Sequence, residues 1–172
     1  LSMLEHTIKF IENLGITKIK INTFYLEKQI IDFVSNHPLK RNIEIISDGK
    51  DILGTGGGIL NLMNSSEEDN FLIFNPDTYW NSNYLPTVNQ MCDMYFKYSM
   101  ENCLLIVDKK KSYDLRLNGD FGMTGNTLYN ENKNYIYTGC QIINKKLFNG
   151  FSKKFFSVSE IWNKKLNQKD LY

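Results

Sequence analysis

The chain has 172 residues, 42% of them hydrophobic, enough for one ordinary domain with a sizeable core. Its 20 basic and 19 acidic side chains leave a formal net charge of +1, so no charge bias points to nucleic acid or an anionic membrane. Runs such as Phe71 to Phe74 are strand-sized and far short of a membrane span, and Cys92, Cys103 and Cys140 form neither a CxxC pair nor a zinc-spaced cluster with His6 or His37.

In chain order, Ser2 with Glu5 three residues on is a capping-box pattern. Leu4, Ile8 and Ile11, with Phe10 and Leu14, then repeat at helical spacing up to Gly15. Thr17 to Phe24 alternates as a strand, Tyr25 to His37 reads as an amphipathic helix closed by Pro38, and Asn42 to Ser47 is a second strand. A glycine-rich loop, Asp51 to Leu60, follows. Gly58 onward reads as a helix start, Asn70 to Asn75 as a buried strand, Leu85 to Tyr98 as a helix and Asn102 to Asp108 as another strand. From Tyr113 to Asn144, alternation with glycine and asparagine predicts two or three antiparallel strands, and Phe156 to Gln168 closes with a helix. Alternating strands and helices predict an α/β fold: a Rossmann-like three-layer sandwich with a mixed, mostly parallel sheet and a small antiparallel extension. No repeat or linker divides residues 1–172, so one domain is expected. Unpaired thiols and the lack of a signal-like segment fit a cytoplasmic protein.

Two stretches carry chemistry. Leu53-Gly54-Thr55-Gly56-Gly57-Gly58 lies between a strand and a helix, where bare backbone amides can reach a ligand and a helix N-terminus favours anions. The spacing is neither GxGxxG nor GxxxxGK[ST], and by itself leaves a plain turn equally open. Asn75-Pro76-Asp77 ends a hydrophobic strand, and a carboxylate there can hold a hard cation such as Mg²⁺ or simply cap the following turn. A nicotinamide-dependent oxidoreductase ranks last, because Asp48 precedes the glycine loop where a ribose-binding acid should follow it. Lys109 to Lys111 reads as a solvated turn, and Tyr79, Trp80, Tyr84, Tyr95 and Phe96 as core and rim packing.

Taken together, the glycine stretch and Asn75-Pro76-Asp77 resemble the paired motifs of the sugar-1-phosphate nucleotidyltransferases. Tyr137-Thr138-Gly139 and the strand after it are similar to the part of that family that lines the sugar site. The nearest likenesses are bacterial mannose-1-phosphate guanylyltransferase-like and N-acetylmuramate-1-phosphate uridylyltransferase-like enzymes. The resemblance implies an enzyme that joins a nucleoside triphosphate to a sugar 1-phosphate and releases pyrophosphate. It implies that Gly54 and Thr55 read the base edge, with Gly56, Gly57 and Gly58 letting the nucleotide sit close. It further implies that Asp77 is a Mg²⁺ ligand, that Thr138 and Gly139 border the sugar, and that Asp120 faces the crevice or serves a turn. The family's N-terminal signature loop, with its arginine and lysine, and its late second metal-binding aspartate are not found between Leu1 and Tyr172. The resemblance therefore implies a chain truncated at both ends, impaired in catalysis, with exposed strand edges that favour a homodimer. The alternative is a non-catalytic nucleotide-sugar-binding or remnant domain.

Overall fold

The computed structural model describes residues 2–112, 114, 116–151 and 155–172. Helix α1, Met3–Asn13, begins at the expected cap, the Ser2 hydroxyl accepting a hydrogen bond from the Glu5 amide at 3.1 Å. The Glu5 carboxylate turns to Lys9 at 3.0 Å and to the buried His37 at 3.3 Å, tying α1 to the end of the second helix. Strand β1, Ile19–Thr23, leads to helix α2, Glu27–Ser35, which starts later than its periodicity predicts because Leu26 holds a left-handed φ of 57°. Strand β2, Ile43–Ser47, pairs in parallel with β1, Ile19 opposite Ile43 and Thr23 opposite Ser47.

Helix α3, Gly54–Asn64, corrects one boundary: the glycines form the helix's first turns instead of a loop ahead of it. Strand β3, Asn70–Phe74, helix α4, Leu85–Lys97, and strand β4, Asn102–Asp108, follow as expected, with Pro86 in the first turn of α4 where no amide partner is needed. The stretch from Tyr113 forms β5, Gly122–Thr124, β6, Thr127–Tyr129, and β7, Tyr135–Asn144; Tyr113 and Leu115 lie outside the described residues. Helix α5, Ser159–Asn167, closes the chain.

Strands β5 and β6 form the small antiparallel hairpin, whereas β7 runs antiparallel between β3 and β4 in a three-stranded sheet. Among the described residues parallel pairing is confined to β1 and β2. The side chains of β3 separate the layers. Leu72 and Phe74 pack with Phe10, Trp80, Val88 and Tyr95 of the α1 and α4 side, while Phe71 and Ile73 pack with Ile59, Met63, Phe156 and Ile161 on the α3 and α5 side. A third cluster, Ile8, Ile19, Val34 and Ile43, joins α1 and α2 to the β1–β2 pair. The fold is thus mixed α/β, with helices on both faces of the sheet.

Candidate functional site

At the carboxyl ends of β1 and β2, α3 begins with its backbone almost bare. Gly54 holds φ at +68°, and a β-carbon there would lie 2.6 Å from the Phe156 carbonyl oxygen. A β-carbon on Gly56 would lie 2.3 Å from the Phe156 ring, and one on Gly58 2.8 Å from Asn22 Nδ2. The amides of Gly56 and Gly57 donate to the Phe156 carbonyl at 3.0 and 3.3 Å, and the Phe156 amide donates back to Leu53 at 3.1 Å. Thr55 Oγ1 accepts from the Val158 amide at 3.0 Å. The glycine stretch therefore seats the segment leading into α5. These amides are the unpaired donors of a helix start, and the chain's own carbonyl satisfies two of them.

Beside this seat, Asp48 accepts hydrogen bonds from Asn22 Nδ2 at 2.7 Å and Asn61 Nδ2 at 2.9 Å. The carboxylate is thereby fixed between β1 and α3. It does structural work, consistent with its place ahead of the glycines.

Across the cavity, β3 delivers Asn75-Pro76-Asp77. The Asn75 amide donates to the Gly139 carbonyl at 2.8 Å, Thr78 Oγ1 donates to the Thr138 carbonyl at 2.8 Å, and Trp80 Nε1 donates to the Asn75 carbonyl at 3.1 Å. Gly139 holds φ at +91°, and a β-carbon there would lie 2.9 Å from the Asn75 β-carbon, so only glycine lets the turn after β3 close on β7. Asp77 is exposed. Gly54, Thr55, Asn75 and Pro76 line one cavity of about 530 Å³. The structure thus brings the glycine stretch and the turn carrying Asp77 to the same rim, with Thr138 and Gly139 bonded behind that turn.

Asp120 takes the turn role: its carboxylate accepts from the Tyr137 amide at 2.8 Å and latches the chain ahead of β5 to β7. His6 rests edge-on against Tyr79, ring centroids 4.7 Å apart. Trp80 and Tyr95 are core residues, Trp80 wedged between Phe10, Phe74 and Tyr84. Among the described residues no group of three or more His, Cys, Asp or Glu side chains converges on a metal position. No described helix is long and apolar enough to cross a membrane.

Two buried hydroxyls escaped the sequence reading. Those of Thr23, at the end of β1, and Tyr137, next to Thr138, have no hydrogen-bond partner among the described residues. Burial pushes the Tyr137 phenol well above its usual range, with nearby Cys140 and Asp77 adding to the rise, so it stays a neutral donor. An unpaired buried hydroxyl costs about 1–3 kcal/mol, and neither of the two lines the cavity. Their only sequence signal was position, at a strand end and beside a glycine.

This order of strands and helices is the fold of solved sugar-phosphate nucleotidyltransferases. No protein-family model and no curated protein matches the chain. Among solved structures it is similar to HddC from Yersinia pseudotuberculosis complexed with GMP-PN, at 22% identity and a TM-score of 0.68, over 91% of this chain and 68% of HddC. It is also similar to a putative glucose-1-phosphate thymidylyltransferase from Bacillus anthracis in complex with a sucrose, at 13% identity and 0.71, over 98% of this chain and 72% of that one. The same holds for UDP-glucose pyrophosphorylase complexed with UDP-glucose, at 13% identity and 0.72, over 99% and 77%. At these identities the likeness is one of fold.

Proposed function

We propose that the chain is a nucleotidyltransferase domain that binds a nucleoside triphosphate and a sugar 1-phosphate at this rim, for transfer to an NDP-sugar with release of pyrophosphate. The observation that carries the reading is the shared cavity: Gly54 and Thr55 on one wall, Asn75 and Pro76 on the other. In this reading Gly54 and Thr55 meet the base edge, Gly56, Gly57 and Gly58 keep the wall low, and Thr138 and Gly139 flank the sugar. The reaction is in-line attack of a sugar-phosphate oxygen on the α-phosphorus, which asks the protein mainly for alignment and charge neutralisation.

The donor set fits Mg²⁺ in one limited way. A single exposed carboxylate, Asp77, cannot build an all-protein cage, but Mg²⁺ is commonly held by one or two carboxylates plus substrate phosphates. Asp77 would hold a metal arriving with the nucleotide, and the ion would neutralise phosphate charge. A mostly parallel sheet, a cytoplasmic and bacterial setting and a homodimer belong to the same reading.

One observation favours binding without turnover. The basic residues lining the cavity, Lys18 and Lys20, sit towards the far end of α3, paired with Glu68 and Glu44. Thermal unfolding with GTP, UTP, ATP or dTTP and Mg²⁺ tests the proposal. A ligand at about one hundred times its Kd adds about 2.7 kcal/mol, a shift of about 5–10 °C at the about 2–4 °C per kcal/mol expected for a chain this size. Asp77→Asn should remove the Mg²⁺-dependent part only. If none of the four nucleotides moves the transition, the reading fails; a shift without pyrophosphate release from any sugar 1-phosphate selects the non-catalytic form.

A further inference from the structure

We propose that His37 is an acid-sensitive catch on the turn between α2 and β2: when the ring takes up a second proton, it keeps its hold on α1 and lets go of the turn. The ring follows the last turn of α2, its side chain is 5% exposed, and its two nitrogens have different partners. Nδ1 accepts a hydrogen bond from the Leu39 amide at 3.0 Å, and Nε2 stands 3.3 Å from the Glu5 carboxylate of α1.

Those partners fix the proton. A main-chain N–H can only donate, so Nδ1 is bare and the single ring hydrogen is on Nε2, directed at Glu5. Pro38 has no amide of its own, which makes Leu39 the first donor past the ring. A second ring proton has one place to go, Nδ1, and there it faces the Leu39 N–H. Two donors then point at each other in a buried site, and one must leave.

Which one leaves follows from charge. Imidazolium beside a carboxylate makes a charge-assisted bond, stronger than the neutral bond to a main-chain amide. Glu5 is ionised while a histidine titrates: the hydrogen bond from Lys9 holds its carboxyl below the ordinary range against the opposing effect of burial, and the ring adds to the lowering. Phe33 of α2 lies against the ring, centroids 5.6 Å apart, and the charged residues of the turn, Lys40 and Arg41, are exposed. The ring therefore stays with α1, and the turn is released.

The released segment feeds the sheet. Leu39 packs against the cluster of Ile8, Ile19, Val34 and Ile43, and its carbonyl accepts from the Asn42 amide at 2.8 Å. Asn42 in turn holds the start of β1 twice: its carbonyl accepts from the Ile19 amide at 2.8 Å, and its Nδ2 donates to the Thr17 carbonyl at 2.8 Å. Protonation of one ring thus loosens the entry to the β1–β2 pair, at the end away from the glycine rim.

The test is an NMR titration of the whole chain. It has 2 histidines, and the His6→Gln variant leaves His37 as the one that titrates. At about pH 8 the ring nitrogen shifts should place the hydrogen on Nε2. From about pH 8 to about pH 5, where histidine changes charge, the protection factor of the Leu39 amide should fall about tenfold or more, in step with the ring. His37→Asn puts an amide oxygen near the place of Nδ1, an acceptor that takes up no proton, and should keep the Leu39 protection factor constant. A hydrogen on Nδ1 at about pH 8, or a Leu39 protection factor that does not follow the ring, overturns the proposal. The same loss on acidification in His37→Asn also overturns it, and assigns the effect to another group. Should His37→Asn not fold, the ring hydrogen and the Leu39 titration decide between the two outcomes.

Discussion

Gly56 shows how a single missing β-carbon sets the site. Alanine is the better helix former by about 1 kcal/mol, so propensity alone makes Gly56→Ala stabilising. The added carbon, however, would sit 2.3, 2.4 and 3.0 Å from three atoms of the Phe156 ring, itself 1% exposed. Overpacking a tight core costs about 1–3 kcal/mol, and this contact belongs at the upper end, so a net loss of about 2 kcal/mol is expected. It should appear as a lower urea midpoint with unchanged slope. Phe156→Leu should cost stability in the parent chain yet recover part of the loss in the Gly56→Ala background. A stabilised Gly56→Ala chain would falsify this account of the glycines. Their bareness was legible in the sequence. Its structural cause, a phenylalanine about a hundred residues away, was not, because no local pattern encodes a contact of that range.

At the scale of elements, α5 is held by a charge cluster. Lys165, on α5 and 8% exposed, donates to Glu101 Oε2 and Asp170 Oδ2, both at 2.6 Å, and Lys146 meets Glu101 Oε1 at 2.7 Å. The hydrogen bond from Lys146, then that from Lys165, holds the Glu101 carboxyl below its ordinary value of 4.5. A depressed acid stabilises the fold above its unfolded-state pKa and loses that contribution as pH falls through the folded value. Stability should therefore decline on acidification below about pH 4.5, and Glu101→Gln should flatten that limb. At neutral pH the variant should lose about 1–2 kcal/mol, less than a fully buried pair because Glu101 is partly solvated and Asp170 remains. Equal acid sensitivity in both proteins, read from urea midpoints across pH 3–7, would count against the cluster. Periodicity made α1, α4 and most strands readable, since 3.6- and 2-residue repeats are local. The seat of β7 was not readable: Asn70 opposite Asn144 is a pairing across 74 residues, decided by which faces the helices leave open.

For the molecule as a whole, the separate β1–β2 and β3–β7–β4 sheets divide the stability unevenly. On one side stand two strands whose fully buried apolar contacts are Ile8, Ile19, Val34 and Ile43. On the other, three strands are sandwiched between a cluster of nine buried residues and one of seven, so far more apolar surface is withdrawn from water there. A two-stranded sheet is marginal without support, and among the described residues α1, α2 and α3 cover it. Native-state amide exchange should separate the two. Amides of β1 and β2, such as Ile21 and Ile46, should exchange through a partial opening that costs less free energy, and depends less on urea, than the opening that frees Leu105 and Ile142. Because Asn22 and Asn75 both line the cavity and stand on opposite sides of that divide, any molecule bridging them binds only the closed state and must raise the cost of the partial opening. A single protection level with one urea slope across all strands would show instead that α1 and α3 alone couple the halves into one cooperative unit.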